Sequence, residues 1–161
     1  MMTRFTIFFL TSLFSIIANG QQTNDGDIRK QVLEKGTVDS LFIFDKWTKS
    51  GQTETHLKYL GQINTEDGRI IKIMNSCLIW GHSERGTSRI LIFNEKNQYL
   101  GNYLMNADYE LPEKLIEGKL IFSNEKCEDS ELKIKGKISF LKGIPEQFFI
   151  ECFGSFYKFE P

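Results

Sequence analysis

Hydrophobic and polar residues alternate with a period of two over most of the chain after Thr37. Leu57, Tyr59 and Ile63 alternate with polar neighbours, which predicts a half-buried strand, and an Asn-Thr-Glu-Asp-Gly loop at 64–68 predicts a hairpin. Further strands are predicted at 41–47, 69–80, 89–93, 98–105, 119–122, 132–141 and 147–159. The pattern predicts an all-β fold, an antiparallel β-sandwich or a small β-barrel of about 8–9 short strands, with little helix.

Two segments depart from this alternation. Residues 27–35 are predicted to form a short helix that Asp27 caps and Gly36 ends. Pro112 is predicted to begin a helical turn through Ile116, because proline is tolerated at the first position of a helix.

The first twenty residues have a different pattern. Arg4 is the only charged residue before Asp25, and an apolar stretch from Phe5 to Ala18, interrupted by Thr and Ser, follows it. Asn19 and Gly20 then complete a small-residue site. This order is typical of a secretory signal peptide. We predict that residues 1–20 are a signal peptide, cleaved after Gly20.

The signal excludes several destinations. Its apolar stretch is shorter than the roughly 20 residues that a spanning helix needs, which favours cleavage over an uncleaved anchor. The first cysteine of the chain is Cys77, so no cysteine stands at the cleavage site for lipid attachment. We therefore expect a protein in the periplasm or outside the cell that is not a lipoprotein and has no stable membrane insertion after cleavage.

The length and net charge of the chain limit the number of domains and the class of partner. Removal of 20 residues from 161 leaves 141, which suits a polar N-terminal segment at 21–36 and a single β-rich domain at 37–161. Loss of Arg4 changes the net charge from −1 to −2. Nucleic-acid binding domains usually have a strong basic excess, so no nucleic-acid partner is expected.

Three cysteines stand in the predicted mature chain: Cys77, Cys127 and Cys152. An exported protein can form disulfides, and an odd number leaves at least one thiol outside an intramolecular pair. Cys77 shares a predicted strand face with Ile71, Ile73 and Ile79, where it would be a buried free thiol. A Cys127–Cys152 disulfide is the favoured pairing. Three reduced thiols, or a disulfide from Cys77, remain open alternatives.

The loop after the strand at 69–80 holds the densest cluster of reactive side chains. Glycines at 81 and 86 bound it, and an aromatic residue stands at its base, as in loops that carry binding sites on rigid sheets. We predict ligand-binding roles for Trp80, His82, Glu84 and Arg85. An ordinary hairpin loop is the alternative.

The last predicted strand is aromatic on both faces. Phe148, Phe153 and Phe156 could line a pocket for a small apolar ligand. The alternative, which the pattern favours, is that these rings belong to the core.

No arrangement in the sequence specifies catalysis, a metal or a cofactor. There is no G-x-S-x-G motif, and His56 and His82 have no metal-ligand spacing with the cysteines. We expect no catalytic residues, no metal and no cofactor. The sequence therefore predicts an exported β-rich binding or interaction module, with an unknown protein or a small apolar ligand as partner. A small outer-membrane β-barrel and a secreted hydrolase are the alternatives.

Overall fold

The computed structural model of the chain describes residues 24–123 and 138–161, and in these residues antiparallel strands dominate. A seven-stranded sheet, the large sheet, has the order β1-β2-β3-β4-β5-β10-β9, and a three-stranded sheet, the small sheet, has the order β6-β7-β8. The strands are β1 Leu41–Asp45, β2 Glu54–Asn64, β3 Ile70–Trp80, β4 Arg85–Asn94, β5 Tyr99–Met105, β6 Lys114–Ile116, β7 Lys119–Ile121, β8 Ile138–Ser139, β9 Gln147–Ile150 and β10 Ser155–Glu160.

The predicted all-β fold is confirmed, and its architecture is sandwich-like. Strands β2 and β3 have 11 residues each and β4 has 10, so the longest strands lie at the centre of the large sheet. The predicted strand at 69–80 matches β3 within one residue, whereas β2 and β4 extend beyond the predicted 57–63 and 89–93. Strand β2 has a β-bulge at Leu60: Tyr59 pairs with Met74 of β3, and Gly61 pairs with the adjacent Ile73, so Leu60 has no partner of its own. The extra residue reverses which side chains of β2, odd-numbered or even-numbered, point to a given face of the sheet. Both ends of β2 thereby contribute apolar side chains to a core.

The predicted N-terminal helix is present as α1, Asp25–Lys35. It begins two residues before the predicted start because the Asn24 side chain, and not that of Asp27, accepts a hydrogen bond from the Gly26 N–H. Gly36 ends the helix with a φ of 63°, a conformation that glycine adopts without a steric penalty. Ile28, Val32 and Leu33 of α1 pack with Leu57, Tyr59, Met74, Leu91 and Phe93 of the large sheet.

The opposite face of the large sheet packs against the small sheet. Leu120 of β7 and Phe140, which follows β8, are fully buried there. They contact a core whose members on the large sheet include Ile73, Ile90 and Tyr103. Each of the three is 0% exposed. The large sheet therefore packs on both faces, against α1 on one and, over part of its area, against the small sheet on the other.

The predicted helical turn at 112–116 is wrong. A single 3₁₀ turn lies earlier, at Asp108–Glu110, and residues 114–116 form β6. Glu117 and Gly118 have φ values of 49° and 71°, the left-handed conformation at both central positions of a tight hairpin turn. The hairpin turn pairs β6 with β7, and this pairing overrides the helical preference that follows Pro112.

Several predictions fall on residues outside those described. These are the signal peptide at 1–20, most of the strand at 132–141 and one partner of the predicted disulfide, Cys127. Cys152 is disulfide-bonded and Cys77 has a free thiol, whereas the pairing of Cys127 with Cys152 stays a prediction. Within 24–123 and 138–161, no helix combines the length and the apolar character needed to cross a membrane.

Candidate functional site

The face of the large sheet that meets the small sheet has two halves. In the covered half, Ile71 and Ile73 of β3 lie beside Ile90 and Ile92 of β4, under the small sheet. Further along the same face, β3 continues with Asn75 and Cys77, which line a cavity and do not belong to the buried apolar core. We call this second region, with the neighbouring residues of β2 and β4, the open half.

Polar residues from three neighbouring strands make up the open half. The β-sheet register places His56 opposite Cys77 and Lys58 opposite Asn75, and Ser88 pairs with Cys77 from the other side. Directly opposite residues of antiparallel strands point to the same face with their Cβ atoms about 5 Å apart. Because side chains alternate between the two faces along each strand, the Cys77 thiol, the His56 imidazole, the Lys58 amine and the Asn75 amide lie on the same face.

The segment from Asn106 to Glu113 lies against one side of the open half. Asn75 Nδ2 donates a 2.7 Å hydrogen bond to the Pro112 carbonyl oxygen, and Lys58 Nζ donates one of 2.7 Å to the Glu113 carbonyl oxygen. Glu110, which is buried, accepts from the Asn106 N–H at 2.9 Å and from the Tyr157 hydroxyl at 2.8 Å. These bonds hold the segment at a defined height above the strands.

Between this segment and the strands lies a cavity of about 400 Å³, which we call the cleft. An adjoining cavity of about 420 Å³ shares three of its lining residues, His56, Cys77 and Asp108. Volumes of this size suit a small molecule. Leu41, Leu111 and Pro112 give the cleft an apolar border, while Asn75, Asp108 and Glu113 contribute polar groups.

Asn75 is the most buried polar side chain of the cleft, at 6% exposure. Its Nδ2 is bonded to Pro112, but its Oδ1 has no hydrogen-bond partner among the described residues. An unpaired buried carbonyl costs about 1–3 kcal/mol. The oxygen itself is closed to solvent, so a molecule in the cleft would reach it only after the Asn75 side chain moves.

The electrostatic environments of the facing residues Cys77 and His56 differ. Burial raises the pKa of the Cys77 thiol, a hydrogen bond with Ser88 lowers it, and the charge of Asp108 raises it further. On the neighbouring strand, His56 Nε2 lies 2.5 Å from Glu54 Oε1, and this hydrogen bond is the main cause of the lowered pKa of Glu54.

Cys77 and His56 resemble the residue pair of a thiol nucleophile and its base. A nucleophilic cysteine needs a lowered pKa, normally from a cationic neighbour. The Cys77 environment does the opposite, since burial and Asp108 favour the neutral thiol. A carboxylate on one ring nitrogen orients an imidazole and leaves the other nitrogen available, so the bond from His56 Nε2 to Glu54 does not itself argue against a base. The raised pKa of the Cys77 thiol is the feature that favours recognition of a ligand over attack on one.

No family model, curated protein or solved structure matches this chain. The cleft therefore has to be interpreted from its own geometry.

The loop residues singled out from the sequence lie mostly outside the cleft. His82 Nδ1 is 2.7 Å from the Lys49 carbonyl oxygen, and Trp80 Nε1 donates to Thr87 Oγ1 at 2.9 Å. The Arg85 guanidinium lies 5.8 Å from the Trp80 ring centroid. In these contacts, the polar groups of His82, Trp80 and Arg85 stabilise the conformation of the loop itself. Glu84 alone of the four lines the adjoining cavity, beside His56 and Cys77.

The three aromatic residues of the chain end lie in three different environments. Phe148 is buried in the core cluster, Phe153 packs at the edge of that cluster, and Phe156 is 71% exposed. Phe156 stacks on Phe149 with ring centroids 4.6 Å apart. The structure does not bring the three predicted rings together around one cavity.

Sequence reasoning missed the central residue of the cleft. Asn75 occupies the alternate position between Ile73 and Cys77, where the pattern of that strand face calls for an apolar side chain. The sequence does contain a signal for this residue: Asn75 is polar at a position where every second residue of the strand is otherwise apolar or a cysteine. His56 and Lys58 gave no such signal, because they lie where a solvated strand face is expected.

Proposed function

We propose that this protein is an exported binding module, without catalysis, that holds a small polar ligand in the cleft. One observation carries the proposal: a cavity of about 400 Å³ whose lining combines polar side chains, among them Asn75 and Asp108, with apolar ones. Ligand sites are typically concave and largely apolar, with a few polar groups that orient the bound molecule. The polar part of this lining favours a ligand with hydrogen-bonding groups, in place of the apolar ligand expected from the sequence.

A second asparagine helps to separate the cleft from a general property of the fold. Asn102 is also buried, at 8% exposure, and its Oδ1 is also unpaired among the described residues. Its Nδ2 donates to the Tyr99 hydroxyl at 2.9 Å, and it lines neither cavity of the site. Asn102 is therefore the matched control for Asn75.

The experiment is a screen of small amines, amides, polyols and sugars against the purified protein, with thermal unfolding and native mass spectrometry as readouts. A ligand at 100 times its Kd stabilises the folded state by about 2.7 kcal/mol. We expect at least one class to raise the Tm of the parent and of Asn102→Leu, and to have no effect on Asn75→Leu.

Two results would count against the site. Equal stabilisation of the parent and Asn75→Leu would place binding elsewhere. A screen without any Asn75-dependent ligand, in a variant whose circular dichroism matches that of the parent, would remove the proposal.

Export rests on the pattern of residues 1–20 and has its own measurement. N-terminal sequencing of the protein recovered from its native host should begin at Gln21. A sequence that begins at Met1 would show that the segment is retained.

A further inference from the structure

The large sheet has two edge strands, β1 and β9, and the two differ. Among the described residues, each pairs with a strand on one side only, β1 with β2 and β9 with β10. The other side of an edge strand presents backbone N–H and carbonyl groups with which a further strand can pair. Strand β9 has four residues, and one of its two exposed side chains is the polar Gln147. Strand β1 has five residues and is mainly apolar.

The apolar residues of β1 lie on both faces of the sheet. Phe42 and Phe44 are partly buried on the face that packs against α1. On the opposite face, Leu41 is 59% exposed and Ile43 is 55% exposed. A continuous apolar run of this kind is typical of a strand that is buried on both faces inside a sheet. Strand β1 therefore has the composition of an interior strand at the edge of the sheet.

Strand β1 lacks the features that normally prevent pairing at an edge. Proteins protect exposed edges with lysines, prolines or β-bulges. Neither lysine nor proline occurs between Leu41 and Asp45, and the register with β2 is regular over these five residues. Asp39 and Asp45 have φ values of 61° and 60°, which interrupt the extended backbone on either side. An added strand would therefore have a defined place and length.

The sequence of β1 matches itself in the antiparallel direction. With Ile43 at the centre, Phe42 of one copy lies opposite Phe44 of the other, and Ile43 lies opposite its own counterpart. Leu41 and Asp45 form the two end pairs. Directly opposite residues point to the same face, so both phenylalanine pairs fall on the α1 face and the two isoleucines on the other. Aromatic and β-branched cross-strand pairs are among those that stabilise sheets.

We infer that the protein forms a dimer with a second copy of itself, in which the two β1 strands pair antiparallel about a two-fold axis at Ile43. A two-fold contact uses the same edge of both copies, so the assembly closes at two and does not grow into a filament. The contact is small, and we expect a reversible dimer with a Kd of about 1–100 μM. The dimer requires no ligand, although Leu41 also borders the cleft.

The test is analytical ultracentrifugation of the purified protein over concentrations that span this Kd. The parent should show a monomer–dimer equilibrium. Ile43→Lys places two ammonium groups opposite each other at the axis and removes the isoleucine contact, so it should weaken dimerisation at least about tenfold. Because Ile43 is exposed in the monomer, the circular dichroism and the Tm of the dilute variant should match those of the parent.

Leu104→Lys is the matched control. Leu104 is an apolar residue with 47% exposure on β5, which has a paired strand on each side, and the change in net charge is the same. This variant should dimerise with the Kd of the parent.

A mixture of two variants tests the symmetry. Ile43→Lys and Ile43→Glu should each dimerise weakly, because like charges lie opposite each other at the axis. In an equimolar mixture, an ammonium lies opposite a carboxylate about 5 Å away, so a heterodimer should form. Higher ionic strength should weaken this heterodimer and leave the parent dimer nearly unchanged.

Four results would overturn the inference. A parent that stays monomeric at about 300 μM, above the expected Kd, would leave an extended segment of another protein as the occupant of the edge. An equal loss of dimer in Leu104→Lys would show that net charge controls association. Parent species larger than a dimer would exclude a closed two-fold contact. A mixture of the two Ile43 variants without a heterodimer would exclude an axis at Ile43.

Discussion

The covered half and the open half are parts of one sheet face, built by the same three central strands, yet they differ in almost every physical respect. Under the small sheet, β3 presents Ile71 and Ile73, both nearly or fully buried. Two and four positions later the same strand presents Asn75 and Cys77. The backbone pairing continues unchanged across the boundary, so the difference lies in side chains and in what covers them.

This difference separates stability from recognition. Close-packed apolar side chains in the covered half contribute roughly 25 cal/mol for each Å² that they bury. In the open half, a buried acceptor without a partner opposes folding by about 1–3 kcal/mol. A region that opposes stability in this way, beside a cavity, is typical of sites that bind.

Substitutions at Ile73 and Asn75, two positions apart on the same face of β3, should give the largest difference in the free energy of unfolding. Ile73→Ala removes a fully buried side chain and should lower the free energy of unfolding by about 2–5 kcal/mol. Asn75→Leu loses the hydrogen bond to Pro112 but also removes the unpaired acceptor, so it should stay within about 1 kcal/mol of the parent. Urea denaturation with unchanged m-values is the measurement.

A control and a contrary result sharpen this comparison. Ile79→Ala, at the far end of the same strand face, is only partly buried and should cost less than Ile73→Ala. A loss for Asn75→Leu as large as that for Ile73→Ala would mean that the open half is part of the stabilising core.

The apolar core of which the covered half is part should also make the protein sensitive to alkali, because it contains two buried tyrosines. Burial raises the pKa of Tyr103 and of Tyr157 above the ordinary tyrosine value of 10.0. Above pH 10 the unfolded chain releases these protons while the folded protein retains them. Each tyrosine should therefore reduce stability by about 1.4 kcal/mol per pH unit as the pH rises. This contribution is fully present below pH 10.

Tyr103→Phe isolates one of the two groups. At neutral pH it should cost about 0.5–1.5 kcal/mol, because the Tyr103 hydroxyl donates to the Pro145 carbonyl oxygen at 2.5 Å. Above pH 10 its stability should fall less steeply than that of the parent, so the two curves converge. Parallel curves from pH 9 to pH 12 would show that Tyr103 does not titrate differently in the folded state.

The smallest expected effect is on the alkylation rate of the Cys77 thiol in the open half. Asp108→Asn should lower the pKa of Cys77 and increase its alkylation rate by iodoacetamide at pH 8 roughly twofold to threefold. Glu95→Gln makes the same change in net charge at an exposed turn that lines neither cavity, and it should leave the rate unchanged. An unchanged rate in Asp108→Asn would show that the carboxylate does not influence the interior of the cleft.

Much of the fold was predictable because its signals are local. Alternation at Leu57, Tyr59 and Ile63 predicted β2, and the Asp-Gly at the end of its loop predicted the hairpin with β3. Gly36 predicted the end of α1. The helical turn after Pro112 failed because the pairing of β6 with β7 depends on a turn at Glu117 and Gly118 that the proline signal does not include.

The candidate site was much less predictable. Its lining comes from β1, β2 and β3, from the segment before β6 and from Ser123 after β7, and no local motif joins them. The reactive loop at 80–85 attracted attention as a cluster in sequence, yet His82 and Trp80 are occupied by loop contacts. The register of β2 against β3, which places His56 beside Cys77, is a tertiary property.

The sequence by itself determined the β-rich class, the helix and its glycine end, and the residues that can be buried, because period-two alternation and capping act over a few residues. Only the tertiary structure decided which half of the sheet face is covered and which is open. That choice depends on where the chain returns: Pro112 meets Asn75, 37 residues earlier, through one hydrogen bond. A contact of this range follows from packing of the whole domain, not from any local pattern.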